Sequence, residues 1–194
     1  WHSDFSFRER PTAARMLLAV ELPPAGQGKT YFVNCYAAYE TLSEDMKRRL
    51  SGKSIKQGNV VDTAMKVRPG AKLDADVRDL PGPSHPIIAT HPKTGRNMLY
   101  LGRRHSAYVN GLSIGDSEAL LDELWAHCTD ARFCYTHAWQ PGDVVVWDNQ
   151  ATLHKREAFD SASRRVLYAA QVEGERLVEA PNALACAPHP RFAA

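Results

Sequence analysis

The amino-acid sequence predicts a mainly β protein, a jelly roll of antiparallel strands with a few flanking helices. Two observations carry this. Short apolar or alternating runs recur along the chain with turn residues between them, and only two stretches show good helical periodicity. Among antiparallel architectures, such a series of short strands fits a jelly roll best.

Trp1–Phe7 alternates as a strand does. Met16–Leu22 is an apolar run closed by Pro23 and Pro24, Gly26–Gly28 is a turn, and Thr30–Asn34 is another strand. From Ala37 to Leu50 the pattern turns helical. Ser43, ahead of Asp45 and Met46, starts a polar helix that ends in Lys47, Arg48 and Arg49, with Gly52 as a stop signal. Residues 52–85 hold few apolar clusters and are punctuated by Pro69-Gly70 and by Pro81, Gly82 and Pro83, so a long loop or lid is expected there. Pro86–Thr90 and Asn97–Leu101 predict a strand pair joined across Pro92–Gly95. Asp116–Cys128 is the best helix, capped by Asp116 or Ser117, with Leu120, Leu121, Leu124 and Trp125 as its apolar stripe. Four late strands follow at Phe133–Trp139, Asp143–Trp147, Ala151–Arg156 and Arg165–Val172, with Pro141-Gly142 turning between the first two. No internal repeat occurs, and the tail 180–194 is expected to be loosely ordered.

A chain of 194 residues suits a single domain. Its formal charge of +2, from 24 basic and 22 acidic side chains, gives no reason to expect nucleic acid or an anionic membrane as partner. No apolar run approaches the roughly 20 residues a membrane span needs. The four cysteines, Cys35, Cys128, Cys134 and Cys186, fit neither a disulfide framework nor a thiolate zinc site, and read as reduced thiols of a cytoplasmic protein. The chain opens on Trp1, in what reads as the middle of a strand, so an N-terminal portion is expected to be absent.

The chemistry starts at His2 and Asp4. On a strand, side chains at i and i+2 share a face, so H-x-D presents an imidazole beside a carboxylate. A third ligand must come from elsewhere, and the candidate is His154, within the segment Val144–His154. Two histidines and one carboxylate leave open positions on an octahedral iron, the facial triad of iron(II) oxygenases. Taken singly, each residue has a plainer reading: a surface histidine, a turn aspartate, a core histidine. Arg165 begins the next predicted strand, and a hairpin would return it beside His154. Arginine grips a carboxylate at two points. The plainer reading of Arg165 is a surface salt bridge, as for Arg164.

Together, Trp1-His-Ser-Asp4, Gly28-Lys-Thr30, His91-Pro-Lys-Thr-Gly-Arg96, Trp139-x-Pro-Gly-Asp143, Trp147-Asp-Asn149, His154 and Arg165 resemble the TauD/TfdA group of 2-oxoglutarate-dependent dioxygenases, over residues 1 to about 172. The resemblance implies a double-stranded β-helix that binds Fe(II) through His2, Asp4 and His154. It implies 2-oxoglutarate as cosubstrate, held by Arg165 and Thr30, and O2 as oxidant. It also implies a small, anionic substrate of sulfonate or aryloxyalkanoate type, hydroxylated with release of succinate and CO2. Members of this group often associate, so a homo-oligomer is expected.

Two positions depart from the pattern. A second arginine that some members carry after the one matched by Arg165 is here Ala169, and the usual W-D-N-R ends in Gln150. Arg103, Arg104, His105 and Tyr108 are then candidates for holding an anionic substrate, against the reading of an exposed basic turn. Two other readings of the whole stay open: a zinc hydrolase on the same His/Asp/His set, and a β-sandwich binding module whose metal residues are incidental. A truncated, inactive chain is a third.

Overall fold

The computed structural model describes residues 1–62, 66–72 and 76–181. In chain order these form β1 (Ala14–Glu21), β2 (Thr30–Asn34), α1 (Cys35–Glu40), α2 (Glu44–Leu50), β3 (Ser54–Gln57), β4 (Ser84–Pro86), β5 (Ile88–Thr90), β6 (Asn97–Leu99) and β7 (Ala107–Val109). Next come α3 (Ile114–Cys128), a single 3-10 turn (Ala131–Phe133), β8 (Cys134–His137), β9 (Val144–Asp148), β10 (Thr152–Arg156), β11 (Val166–Val172) and β12 (Val178–Glu179). Among the described residues the strands make four three-stranded sheets, ordered β11-β1-β9, β10-β2-β8, β12-β5-β6 and β4-β3-β7. Every pairing is antiparallel. The chain is therefore mainly β with a few helices, as its pattern predicts.

The main core gathers residues of the helices and of β2, β3, β5, β6, β7 and β10, and includes Val33, Tyr39, Leu50, Ile55, Met98, Leu99, Leu120, Leu121, Leu124 and Leu153. Burying each of those leucines contributes about 1.5–3 kcal/mol, so α3, with three of them, is anchored by its stripe. One face of β11-β1-β9 lacks such cover: Leu18, Val144, Val146, Tyr168 and Val172 are exposed.

Several elements differ from expectation. Residues 1–7 are not a strand: His2 sits in isolated bridges, and a turn follows, with Phe5 at φ 55°. The helical stretch is two helices, because Thr41 caps the end of α1 and Ser43 accepts from Met46 N to start α2. The N-cap of α3 is Ser113, not Asp116 or Ser117. Its hydroxyl accepts from Asp116 N at 3.1 Å, which satisfies an orphan donor of the first turn, and donates to the Asp116 carboxylate at 2.7 Å. Ser117 is instead buried and accepts from Val109 N on β7.

The 52–85 stretch is framed by β3 and β4. Between them the described residues carry a bridge from Val61 to Val67 and a small apolar cluster of Val60, Val61 and Leu80. β10 and β11 form no hairpin, since β10 pairs with β2 and β11 with β1. Ala180 is buried and its N–H reaches Ile88 O at 3.2 Å, while the tail from 182 lies outside the described residues, as does Cys186. Cys35, Cys128 and Cys134 are free. Among the described residues, no helix is long and apolar enough to cross a membrane.

Candidate metal centre

His2 and His154 are brought together by backbone pairing. His2 N–H donates to His154 O at 2.9 Å and His154 N–H returns to His2 O at 2.8 Å. Directly opposed residues of an antiparallel pair project to one side, and the two rings stand 4.3 Å apart. Asp4 reaches the same point through a turn. The side-chain amide of Asn149 accepts from Asp4 N and donates to Asp4 O, both at 3.0 Å, and donates to Thr12 O at 2.9 Å. Ser3 completes the tie, its hydroxyl donating to Asn149 O at 2.6 Å and its N–H to Gly102 O at 2.7 Å.

The result is a carboxylate between two imidazoles. Asp4 Oδ1 lies 3.4 Å from His2 Nε2, and Asp4 Oδ2 lies 3.5 Å from His154 Nε2. One donor atom from each residue falls within 4.8 Å of the others, so the three could hold a metal ion. The protonation states suit ligation. Burial raises the Asp4 pKa, but the His2 hydrogen bond and the charges of His154, His2 and Arg15 outweigh it and hold the carboxyl at about 2. Burial, with help from His2, pushes His154 down to about 3, so its imidazole is neutral at ordinary pH, as a ligand must be.

Phe32 and Trp147 wall the centre, with ring centroids 6.2 Å and 5.0 Å from that of His154. Phe32 is the β2 residue opposite His154, and Trp147 is the β9 residue opposite Arg15 on β1, so the site lies where two sheets meet.

Thr30 and Arg165 both meet Trp139, while the hairpin expected to carry Arg165 beside His154 does not form. Thr30 is buried two residues from Phe32 on β2, hence on the same face. The Trp139 indole N–H donates to the Thr30 hydroxyl at 2.9 Å. Arg165 stands 5.8 Å over the Trp139 ring, with a long 3.5 Å contact to Gly28 O. Its Nε is buried and makes no hydrogen bond among the described residues, and burial, then Arg156, lowers its pKa.

Of the candidate substrate-binding residues, Arg103 forms a β-bridge with His2 and is buried, with Nε unpartnered among the described residues and Nη1 3.5 Å from Val61 O. Arg104 is bound to Glu118 at 2.6 Å and Asp122 at 2.7 Å, both on α3. His105 is exposed, and the Tyr108 hydroxyl donates to Leu112 O. Ala169 is exposed on β11 opposite Leu17. Gln150 is buried and donates to Glu175 O at 3.3 Å.

Two residues were without a role in the sequence reading. Asn149 was visible only as part of a motif. Arg15, whose Nε lies 2.9 Å from Asp4 Oδ2, could have been noticed as a charge at the head of an apolar run.

Two histidines and a carboxylate converge where antiparallel sheets meet, the donor set of which a facial triad is made. A family profile described as "Taurine catabolism dioxygenase TauD, TfdA family" matches residues 1–171. The chain belongs to that family. It is 38% identical over 178 residues to pentalenolactone F synthase of Streptomyces arenae, covering 86% of this chain and 59% of that protein. It is 35% identical over 183 residues to the alpha-ketoglutarate-dependent 2,4-dichlorophenoxyacetate dioxygenase of Burkholderia sp. (strain RASC), covering 94% of this chain and 60% of that one. The chain thus spans about three-fifths of the length of these relatives.

Among solved structures, AAD-2 in complex with Mn(II) and N-oxalylglycine superposes with a TM-score of 0.80 at 29% identity, over 92% of this chain and 70% of that one. A taurine dioxygenase from Burkholderia xenovorans gives 0.78 at 29% identity, over 94% and 59%.

Proposed function

We propose that this chain carries the active centre of a cytoplasmic Fe(II)- and 2-oxoglutarate-dependent dioxygenase, on a jelly-roll (double-stranded β-helix) fold, acting on a small anionic organic substrate. The single observation that carries this is the convergence of His2, Asp4 and His154. The free thiols fit a reducing compartment.

His2 and His154 would hold the metal through neutral nitrogens and Asp4 through its carboxylate. Bound there with 2-oxoglutarate, ferrous iron would supply oxidation of a substrate carbon by dioxygen, with succinate and CO2 as co-products. The rest is done by the protein. The Thr30 oxygen already accepts from Trp139, so the hydroxyl hydrogen is left to donate to a carboxylate. The Arg165 guanidinium, with its buried Nε–H unpartnered, supplies the charge for that same carboxylate. A zinc hydrolase would have no use for this pair, and the Mn(II) and N-oxalylglycine complex named for AAD-2 also favours the oxygenase reading.

On the substrate side, Arg103 is the candidate anchor. Burial lowers its pKa, and the charge of Arg68, on the segment between β3 and β4 that we read as the lid, lowers it further against Asp4. Arg104 is engaged on α3 and is left out of the anchor.

The test is succinate formation from 2-oxoglutarate, Fe(II) and ascorbate against a panel of sulfonates and aryloxyalkanoates, beside Mn(II) titrations. His154→Ala should abolish both turnover and tight Mn(II) binding; unchanged values would reject the ligand set. Arg165→Ala should weaken 2-oxoglutarate far more than metal.

A further inference from the structure

Arg15 is a charged side chain at the head of the apolar run of β1, and it is held from three sides. Its Nη1 donates to Gln171 Oε1, its cross-strand neighbour, at 2.9 Å. Its Cζ lies 5.9 Å from the Phe5 ring, in the turn that follows Asp4. Its Nε lies 2.9 Å from Asp4 Oδ2, with only 21% and 15% of the two side chains exposed. That last contact is an ion pair and not an aligned hydrogen bond, for among the described residues the buried Nε–H has no hydrogen-bond partner. A donor is therefore at hand for this oxygen.

A carboxylate can bind a metal through one oxygen or two. A second bound oxygen would take a coordination position that the facial arrangement must leave open for cosubstrate and dioxygen. Groups behind the ligands set such choices, and their loss commonly costs metal affinity.

We propose that Arg15 is a positioning residue: it clamps Asp4 Oδ2, so that Asp4 presents Oδ1 alone, on the His2 side, to the metal. The inference rests on the metal-centre reading above. It also has a sign that simple electrostatics does not share. A guanidinium beside a divalent cation repels it, so if charge were all that mattered, removing Arg15 would tighten metal binding. If Arg15 orients the ligand, removing it loosens metal binding.

The experiment uses the full chain with Mn(II) as calorimetric probe and Co(II) as spectroscopic probe. Arg15→Gln should weaken Mn(II) binding by roughly 10–100-fold and alter the visible Co(II) spectrum, which reports coordination geometry. Arg15→Lys should recover only part of the affinity, keeping the charge without the planar fork. Mn(II) binding by Arg15→Gln that equals or exceeds wild type would overturn the proposal. Should Arg15→Gln fail to fold, Gln171→Ala decides in its place, because it leaves Arg15 in position but untethered. A smaller loss of Mn(II) affinity supports the clamp, and no loss overturns it. His154→Ala is the control that separates the two readings: if it too binds Mn(II) normally, the metal centre itself is wrong.

Discussion

His2 and His154 exchange backbone hydrogen bonds in both directions, at 2.9 and 2.8 Å. The pairing joins the start of the chain to β10, so two imidazoles face one another before any ligand arrives. Only Asp4 needs separate placement, and that falls to Asn149. Preorganisation of this kind is what a metal site needs, because a ligand left to wander must be ordered at binding.

The first prediction concerns Asn149→Ala. The side chain is fully buried and serves Asp4 N, Asp4 O and Thr12 O. Truncation strands three backbone groups away from water, at a cost of about 3 kcal/mol or more. Urea unfolding should show that loss, and Mn(II) affinity should fall with it. Asn149→Asp, which keeps the acceptor and loses the donor, should fall between. A variant with wild-type stability and metal affinity would mean that the turn is held by something else.

Much of the fold was legible locally. Thr30–Asn34 and the late strands are β-branched or aromatic runs with turn residues at their ends, and they pair as strands. What misled was long-range. Residues 1–7 alternate, yet their shape comes from Asn149 and Gly102, far along the chain. His2 and Asp4 were paired for a reason of strand geometry that does not operate. Arg165 was brought to the site by an imagined hairpin, whereas its companions are Trp139 and Gly28. Sequence neighbours on β10 and β11 choose partners from the early chain, and nothing in local periodicity records that choice. The N-cap of α3 is legible too, in Ser113 three residues ahead of Asp116.

A second prediction is a pH dependence of stability. His85 is buried and its Nε2 lies 2.8 Å from Ser6 O, in the turn after Asp4, with Tyr100 edge-on at 5.4 Å. Burial lowers its pKa, with Arg176 adding, against the Ser6 and Arg8 carbonyls and Glu9. The folded state thus binds this proton more weakly than the unfolded chain, whose imidazole titrates near 6.5. His85 contributes in full above that value, and stability is lost as pH falls from there toward the folded pKa. Urea midpoints between pH 7 and 5 should fall in the parent protein and fall less in His85→Gln. Identical slopes would remove His85 as the cause.

Gly102 supplies a third. It sits at φ 61°, in the left-handed region, and a Cβ there would lie 2.6 Å from Gln57 Oε1 and 2.8 Å from Ser6 Cβ. Gln57 is itself committed, accepting from Ser6 Oγ and Arg103 N and donating to Leu101 O. Gly102→Ala must therefore strain its backbone and displace a buried amide, at about 1–3 kcal/mol for the conformation alone. Thermal unfolding should register this. Because Gly102 O holds Ser3 N, Mn(II) affinity should drop as well.

The last prediction isolates the proposed 2-oxoglutarate end. The Trp139 indole N–H donates to Thr30 at 2.9 Å, which turns the hydroxyl hydrogen outward as a donor. In Trp139→Phe the hydroxyl is free to rotate and to accept elsewhere, so its donation to a carboxylate is no longer enforced. A hydrogen bond to a charged group is worth about 1.5–3 kcal/mol when lost outright; weakened by about 1 kcal/mol, it should raise the 2-oxoglutarate Kd by roughly fivefold, with Mn(II) affinity unchanged. Thr30→Val removes the same donor directly and should cost at least as much. Because the indole acts through the hydroxyl, the two effects should not add, and Trp139→Phe in the Thr30→Val background should cost little more. The cation–π contact of Arg165 with Trp139 at 5.8 Å is retained in kind by phenylalanine, so it does not mimic the effect. Full additivity in the double-mutant cycle would show that Trp139 serves Arg165 and not Thr30.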